Sequence, residues 1–172
     1  VVNVDTLGFD RVISNGVDSG KTLSLNDMAD GGTVVLSGSA DGTIEVNVAN
    51  ADTETENLLN VTADGPGDTY DSSSESFPGD VDFPDLGELV SNDVETIAID
   101  VKEAFGIDTR DVEPDQEMIQ SLIVDADSAE EIMLEGSGQL NLTTDDSTTS
   151  LTDEDTPTLT SVNASAMDDT LE

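Results

Sequence analysis

Apolar and polar residues alternate in short runs along much of this chain. In Thr43-Ile44-Glu45-Val46-Asn47-Val48 the apolar residues Ile44, Val46 and Val48 share one face of an extended strand; Leu140 and Leu142 do so in Gln139-Leu140-Asn141-Leu142-Thr143. A period of two sends successive side chains to opposite faces of a sheet, so these runs predict half-buried strands with one wet face. Thr, Val and Ile are rich in the runs, which favours strand over helix. The pattern predicts strands over 21–25, 33–37, 43–48, 57–62, 95–100, 120–125, 131–135, 139–143 and 159–164.

Between the runs stand Gly, Asp, Asn and Ser, as in Ser39-Ala40-Asp41-Gly42 and Gly136-Ser137-Gly138, and such clusters read as turns. A short helix is expected over 24–29, capped by Ser24 and ended by Gly31-Gly32. Further helical pieces are expected over 100–105 and 113–120. The tract 65–85 carries Pro66, Pro78, Pro84 and the serines Ser72, Ser73 and Ser74 and reads as a surface excursion. The tract 143–158 has a similar composition. Asn3-Val4-Asp5-Thr6-Leu7 is like Asp93-Val94-Glu95-Thr96-Ile97, and Val34-Val35-Leu36-Ser37-Gly38-Ser39 is like Ile132-Met133-Leu134-Glu135-Gly136-Ser137. These matches divide a single 172-residue module into two related halves, 1–64 and 92–172, around a loop at 65–91. The expected class is all-β: a β-solenoid or β-helix-like stack of short strands with minor helices. A two-sheet β-sandwich is the alternative.

Charge changes this picture. The chain has 4 Lys and Arg against 40 Asp and Glu, a formal charge of −36. Self-repulsion at that density opposes compaction and is also a signature of disorder. The regular apolar runs favour a folded chain whose carboxylates are screened by salt or bound by cations. Ca²⁺ suits them, because it takes oxygen ligands from Asp, Asn and backbone carbonyls. Nucleic acid is excluded as a partner, since binding it needs clustered Lys and Arg. An anionic membrane would repel the chain, and no apolar stretch approaches the roughly 20 residues of a membrane span. Cys and His are absent, which removes disulfides, Cys/His zinc sites and nucleophile–His pairs. No signal peptide is visible and the chain begins at Val1, so it reads as a piece of a larger protein.

The segment order carries a resemblance. Thr22-Leu23-Ser24-Leu25-Asn26-Asp27-Met28-Ala29-Asp30-Gly31-Gly32-Thr33-Val34-Val35-Leu36 resembles a recurrent element of bacterial surface-layer (S-layer) and RTX-type exported proteins. Asn57-Leu58-Leu59-Asn60-Val61, Val94-Glu95-Thr96-Ile97 and the ladder from Ser121 to Thr143 follow in the order such proteins show. The resemblance implies a non-catalytic, extracellular module of stacked β-coils. It also implies export and bound Ca²⁺. The chain departs from RTX proteins in lacking their glycine-rich nonapeptide. In its nearest stretch, Asp64-Gly65-Pro66-Gly67-Asp68, Asp68 follows Gly67 one residue too soon.

Among candidate chemistries, paired carboxylates such as Asp125 with Asp127 or Glu130 with Glu131 are the residue types of glycoside hydrolysis. The chain lacks the aromatic platforms a sugar site needs, with aromatics at 3% and no Trp. No enzyme activity is expected. Oxygen coordination of Ca²⁺ is the better use of the acids. Asp125 and Asp127, at a strand-to-turn junction, form the first candidate site; Asp64, Asp68 and Asp71, on the Pro/Gly excursion, form the second. The expected partners are neighbouring modules of the same protein or lattice. A surface glycan held by the 65–85 tract, as in an adhesin, is an alternative. A halophilic cell-surface domain that needs salt instead of Ca²⁺ is another.

Overall fold

The computed structural model describes residues 1–4, 9–38, 40–53, 56–65, 84–106, 116–144 and 161–167, with the backbone alone at 104–106 and 116–118. Its strands are β1 (Val2–Asn3), β2 (Arg11–Ser14), β3 (Thr22–Met28), β4 (Thr33–Leu36), β5 (Thr43–Val48), β6 (Leu58–Ala63) and β7 (Asp85–Val90). They continue as β8 (Thr96–Val101), β9 (Ala104–Gly106), β10 (Gln116–Asp125), β11 (Glu131–Gly136), β12 (Gln139–Thr144) and β13 (Ser161–Met167).

The chain crosses from one sheet to the other after nearly every strand. The first sheet runs β1-β3-β5-β7-β10-β12, and the second runs β13-β11-β8-β6-β4-β2. Every pairing is parallel except that of β9, which lies antiparallel to the start of β10. Parallel neighbours need a crossover connection, commonly a helix. Here the crossover is a strand of the opposite sheet, so the chain winds as a two-sided β-solenoid. A β-sandwich built from hairpins is thereby excluded. Val2 lies beside Leu25, Arg11 beside Thr33, Thr22 beside Thr43 and Ile119 beside Gln139, which makes an undecorated coil 20–23 residues long.

Period-two patterning becomes stacked columns. On the second sheet Val12, Val34, Val61, Ile99 and Leu134 stand in one inward column, and Leu59, Ile97, Ile132 and Val162 in another. On the first, Leu23, Ile44, Leu89 and Val124 are stacked. Buried residues of both sheets form one core, and each fully buried Leu or Ile there contributes about 1.5–3 kcal/mol of hydrophobic transfer.

Adjacent coils stack tightly enough in places to exclude a side chain. Gly87 has φ +77°, and a Cβ there would lie 2.5 Å from the Gly42 carbonyl oxygen. Gly136, at φ +106°, would meet the Val101 oxygen at 2.2 Å.

Where helices were expected, strands form. Residues 24–28 belong to β3, and Asp27, at φ 57°, opens a register shift between Leu25 and Met28. Residues 100–101 end β8, 104–106 form β9, and 116–120 belong to β10. The tract 65–91 is not loop throughout, because Asp85–Val90 is β7, central in its sheet. Within it 66–83 lies outside the described residues, as does 145–158 of the tract 143–158.

Candidate functional site

The acidic candidates sit at two opposite corners of the coil. Asp125 ends β10 half-buried, and its carbonyl accepts the Ser91 N–H at 2.9 Å from the preceding coil. Asp127 is exposed in the turn that follows, closed by the Ala129 N–H donating to the Ala126 carbonyl at 3.2 Å. Asp125 and Asp127 are thus a strand end and the turn after it, separated by Ala126, and both carry oxygen donors, the chemistry a hard cation takes. Asp64 follows β6 at the other corner, exposed, its N–H donating to the Leu36 carbonyl at 2.9 Å. Asp68 and Asp71 lie outside the described residues. Among the described residues no three acidic side chains converge on one point.

Many outward carboxylates have another occupation. Glu45 accepts a hydrogen bond from the Ser24 hydroxyl at 2.8 Å, and Glu88 accepts one from the Thr43 hydroxyl at 2.8 Å. Glu95 accepts from the Asn57 backbone N–H at 2.9 Å and from its side-chain Nδ2 at 3.0 Å. Asp30 accepts the Leu58 N–H at 2.8 Å, and Asp27 accepts from Asn3 Nδ2. In each case donor and acceptor come from neighbouring coils. Like charges directly opposite on adjacent strands are destabilising, and two outward columns avoid them. Ser24, Glu45, Val90 and Asp125 follow one another in one column; Thr22, Thr43, Glu88, Ile123 and Thr143 in the next. An amide pair joins the same sheet, with Asn47 Nδ2 donating to Asn26 Oδ1 at 3.0 Å.

One place breaks the pattern. Asp100 of β8 lies directly beside Glu135 of β11, and the two line a shallow groove with Gly136, Ser137, Ser165, Ala166 and Met167. Lys102 offsets the charge through a 2.5 Å ion pair with Asp100. This juxtaposition was missed in sequence, where Asp100 and Glu135 are far apart and only the coil register brings them together.

Gln120 holds a corner together from inside. It is completely buried, its Oε1 accepts the Gly65 N–H at 2.7 Å and its Nε2 donates to the Lys102 carbonyl at 2.6 Å. These are the points at which the chain leaves β6 and β8, so one amide ties three successive coils.

No helix among the described residues is long and apolar enough to cross a membrane. Comparison of the chain with protein-family models, with curated proteins and with solved structures gives no match.

Proposed function

We propose that this chain is a non-catalytic structural segment, a stretch of β-solenoid from an extracellular surface-layer or large exported repeat protein, stabilised by cations. The observation that carries the reading is the parallel coil stack. A stack of this kind buries its core by adding coils, and its terminal strands present unpaired backbone to whatever comes next. The outward faces offer hydroxyls, amides and carboxylates engaged with each other across coils, an arrangement suited to a scaffold. The formal charge of −36 supports a dependence on cations. Asp125 with Asp127, and Asp64 with Asp68 and Asp71, are the residues proposed to hold Ca²⁺. Adhesion through the 66–83 excursion is a second reading. It is favoured by the way the excursion departs and returns at one point, since a Cβ on Gly65 would lie 2.8 Å from Pro84 Cβ.

Thermal unfolding in EDTA, in millimolar CaCl₂ and in NaCl of matched and of high ionic strength tests the proposal. A ligand that binds only the native state raises the midpoint with its concentration. The midpoint is expected to rise more in CaCl₂ than in NaCl of equal ionic strength. An equal rise assigns the whole effect to screening, as in a halophilic domain. No rise in either overturns the cation role.

A further inference from the structure

We propose that the Asn15-Gly16 step is a site of spontaneous deamidation in the folded chain, with the Ser37 hydroxyl of the neighbouring coil as its oxyanion donor. Such a modification owes nothing to the structural-segment reading or to bound cations. Asn15 is the one asparagine of the chain that glycine follows. It is exposed to water just past β2, where the chain leaves the second sheet.

The chemistry has three requirements. The ring that forms must not be crowded, the nitrogen after the asparagine must be free to attack, and the charge that develops on the amide oxygen must be held. Gly16 meets the first, since it has no Cβ, and its φ of 107° is one that glycine adopts readily. For the second, the Gly16 N–H reaches Ser14 Oγ at 3.4 Å, longer than the roughly 2.7–3.2 Å of a good N–H···O bond. The steps Asp30-Gly31 and Asp64-Gly65 are different. The Gly31 N–H donates to the Leu58 carbonyl at 2.8 Å, and the Gly65 N–H to Gln120 Oε1 at 2.7 Å. Their nitrogens are tied into the coil stack, and their side chains are carboxylates, which are poorer electrophiles than an amide.

Ser37 meets the third. Its hydroxyl donates to Asn15 Oδ1 at 2.7 Å, closer than its 3.2 Å approach to the Ser14 carbonyl. Its backbone N–H donates to that same carbonyl at 2.8 Å, which fixes it beside Asn15. A donor already aimed at the oxygen where charge develops lowers the barrier. In the reaction Gly16 N gives up its proton and bonds to Asn15 Cγ. The Cγ–Nδ2 bond breaks, and Nδ2 takes up a proton and leaves as ammonia. Water then opens the succinimide to aspartate or isoaspartate.

Either product adds a negative charge to a chain already at −36. Isoaspartate also lengthens the main chain by a methylene. The backbone has no slack for it there, since a Cβ on Gly38 would lie 1.9 Å from the Asn15 carbonyl oxygen. Deamidation therefore ages the contact between these two coils.

Peptide mass spectrometry of the full chain, aged in buffer at neutral and mildly alkaline pH, reads the conversion. Position 15 is expected to turn from amide to acid, faster at the higher pH, with isoaspartate among the products. Asn26 and Asn47, whose side chains bond to each other at 3.0 Å within strands, are expected to stay amides. Ser37→Ala is expected to slow the conversion several-fold in the folded chain and to leave it unchanged in urea. Ser37→Thr keeps the hydroxyl and is expected to hold the parent's rate, and unfolding midpoints near the parent's show that each variant is folded. A folded parent that keeps its Asn15 amide while the chain in urea loses it overturns the proposal. Ser37→Ala that converts as fast as the folded parent, or faster, overturns the part given to Ser37. The isoaspartate fraction is expected to unfold at a lower midpoint than Asn15→Asp, which adds the charge without the methylene. Equal midpoints overturn the ageing of the coil contact.

Discussion

Gln120 is a polar side chain in an aliphatic core, and both ends of its amide are paired with backbone. Replacing it with Leu keeps the bulk and leaves the Gly65 N–H and the Lys102 carbonyl without their partner. A buried group left unsatisfied costs about 1–3 kcal/mol. Gln120→Leu is therefore expected to destabilise by roughly 2–5 kcal/mol in urea unfolding, while Ser121→Ala beside it changes little. Gly87 is constrained in another way, through its backbone. Its φ of +77° and the 2.5 Å approach of the Gly42 oxygen leave no room for a methyl group. Gly87→Ala is expected to cost at least about 1–3 kcal/mol from the backbone conformation alone, read as a lower denaturant midpoint.

Gly65 and Pro84, the described residues that flank 66–83, lie side by side where β6 gives way to β7. Because Gly65 and Pro84 are in contact, replacing 66–83 with two glycines is expected to leave the unfolding midpoint within a few degrees of the parent's. Loop length itself changes closure entropy by only about 0.6 kcal/mol per doubling. If glycan or surface binding persists after that deletion, the adhesin reading fails. Stacked strands predict a different effect for Glu135→Gln, which removes one of two adjacent like charges. It is expected to stabilise by roughly 0.2–1 kcal/mol at low salt, and the gain should shrink as NaCl is added. Legibility in the sequence follows the same physics. β5, β6, β8 and β12 alternate without interruption and can be read within a residue or two of their observed bounds. β3 invites a helical reading because the register shift at Asp27 breaks its alternation. β7 is obscured in the same way, since Gly87 sets the buried Leu86 and Leu89 three residues apart. Of the acidic residues, Asp125 and Asp127 are legible as a strand end and its turn. The Asp100–Glu135 contact is not, because the chain between them is longer than one undecorated coil and no periodicity reveals by how much.

Among the described residues, every pairing between the coils joins one coil to the next along the chain, and no ladder ties the first strands to the last. Screening of the −36 charge acts on all coils alike, but support from neighbours does not, since an inner coil is flanked on both sides and an outer coil on one. Opening free energies in such a structure are graded and not uniform. Amide hydrogen exchange is expected to be slowest in β6 and β8, whose Leu59, Ile97 and Ile99 are fully buried, and fastest in β13, where all but Met167 are exposed. A uniform exchange rate across all strands would count against that gradient. The chain thus frays like a rope, from its ends inward. A coil docked onto either end would slow exchange first in the strands next to it.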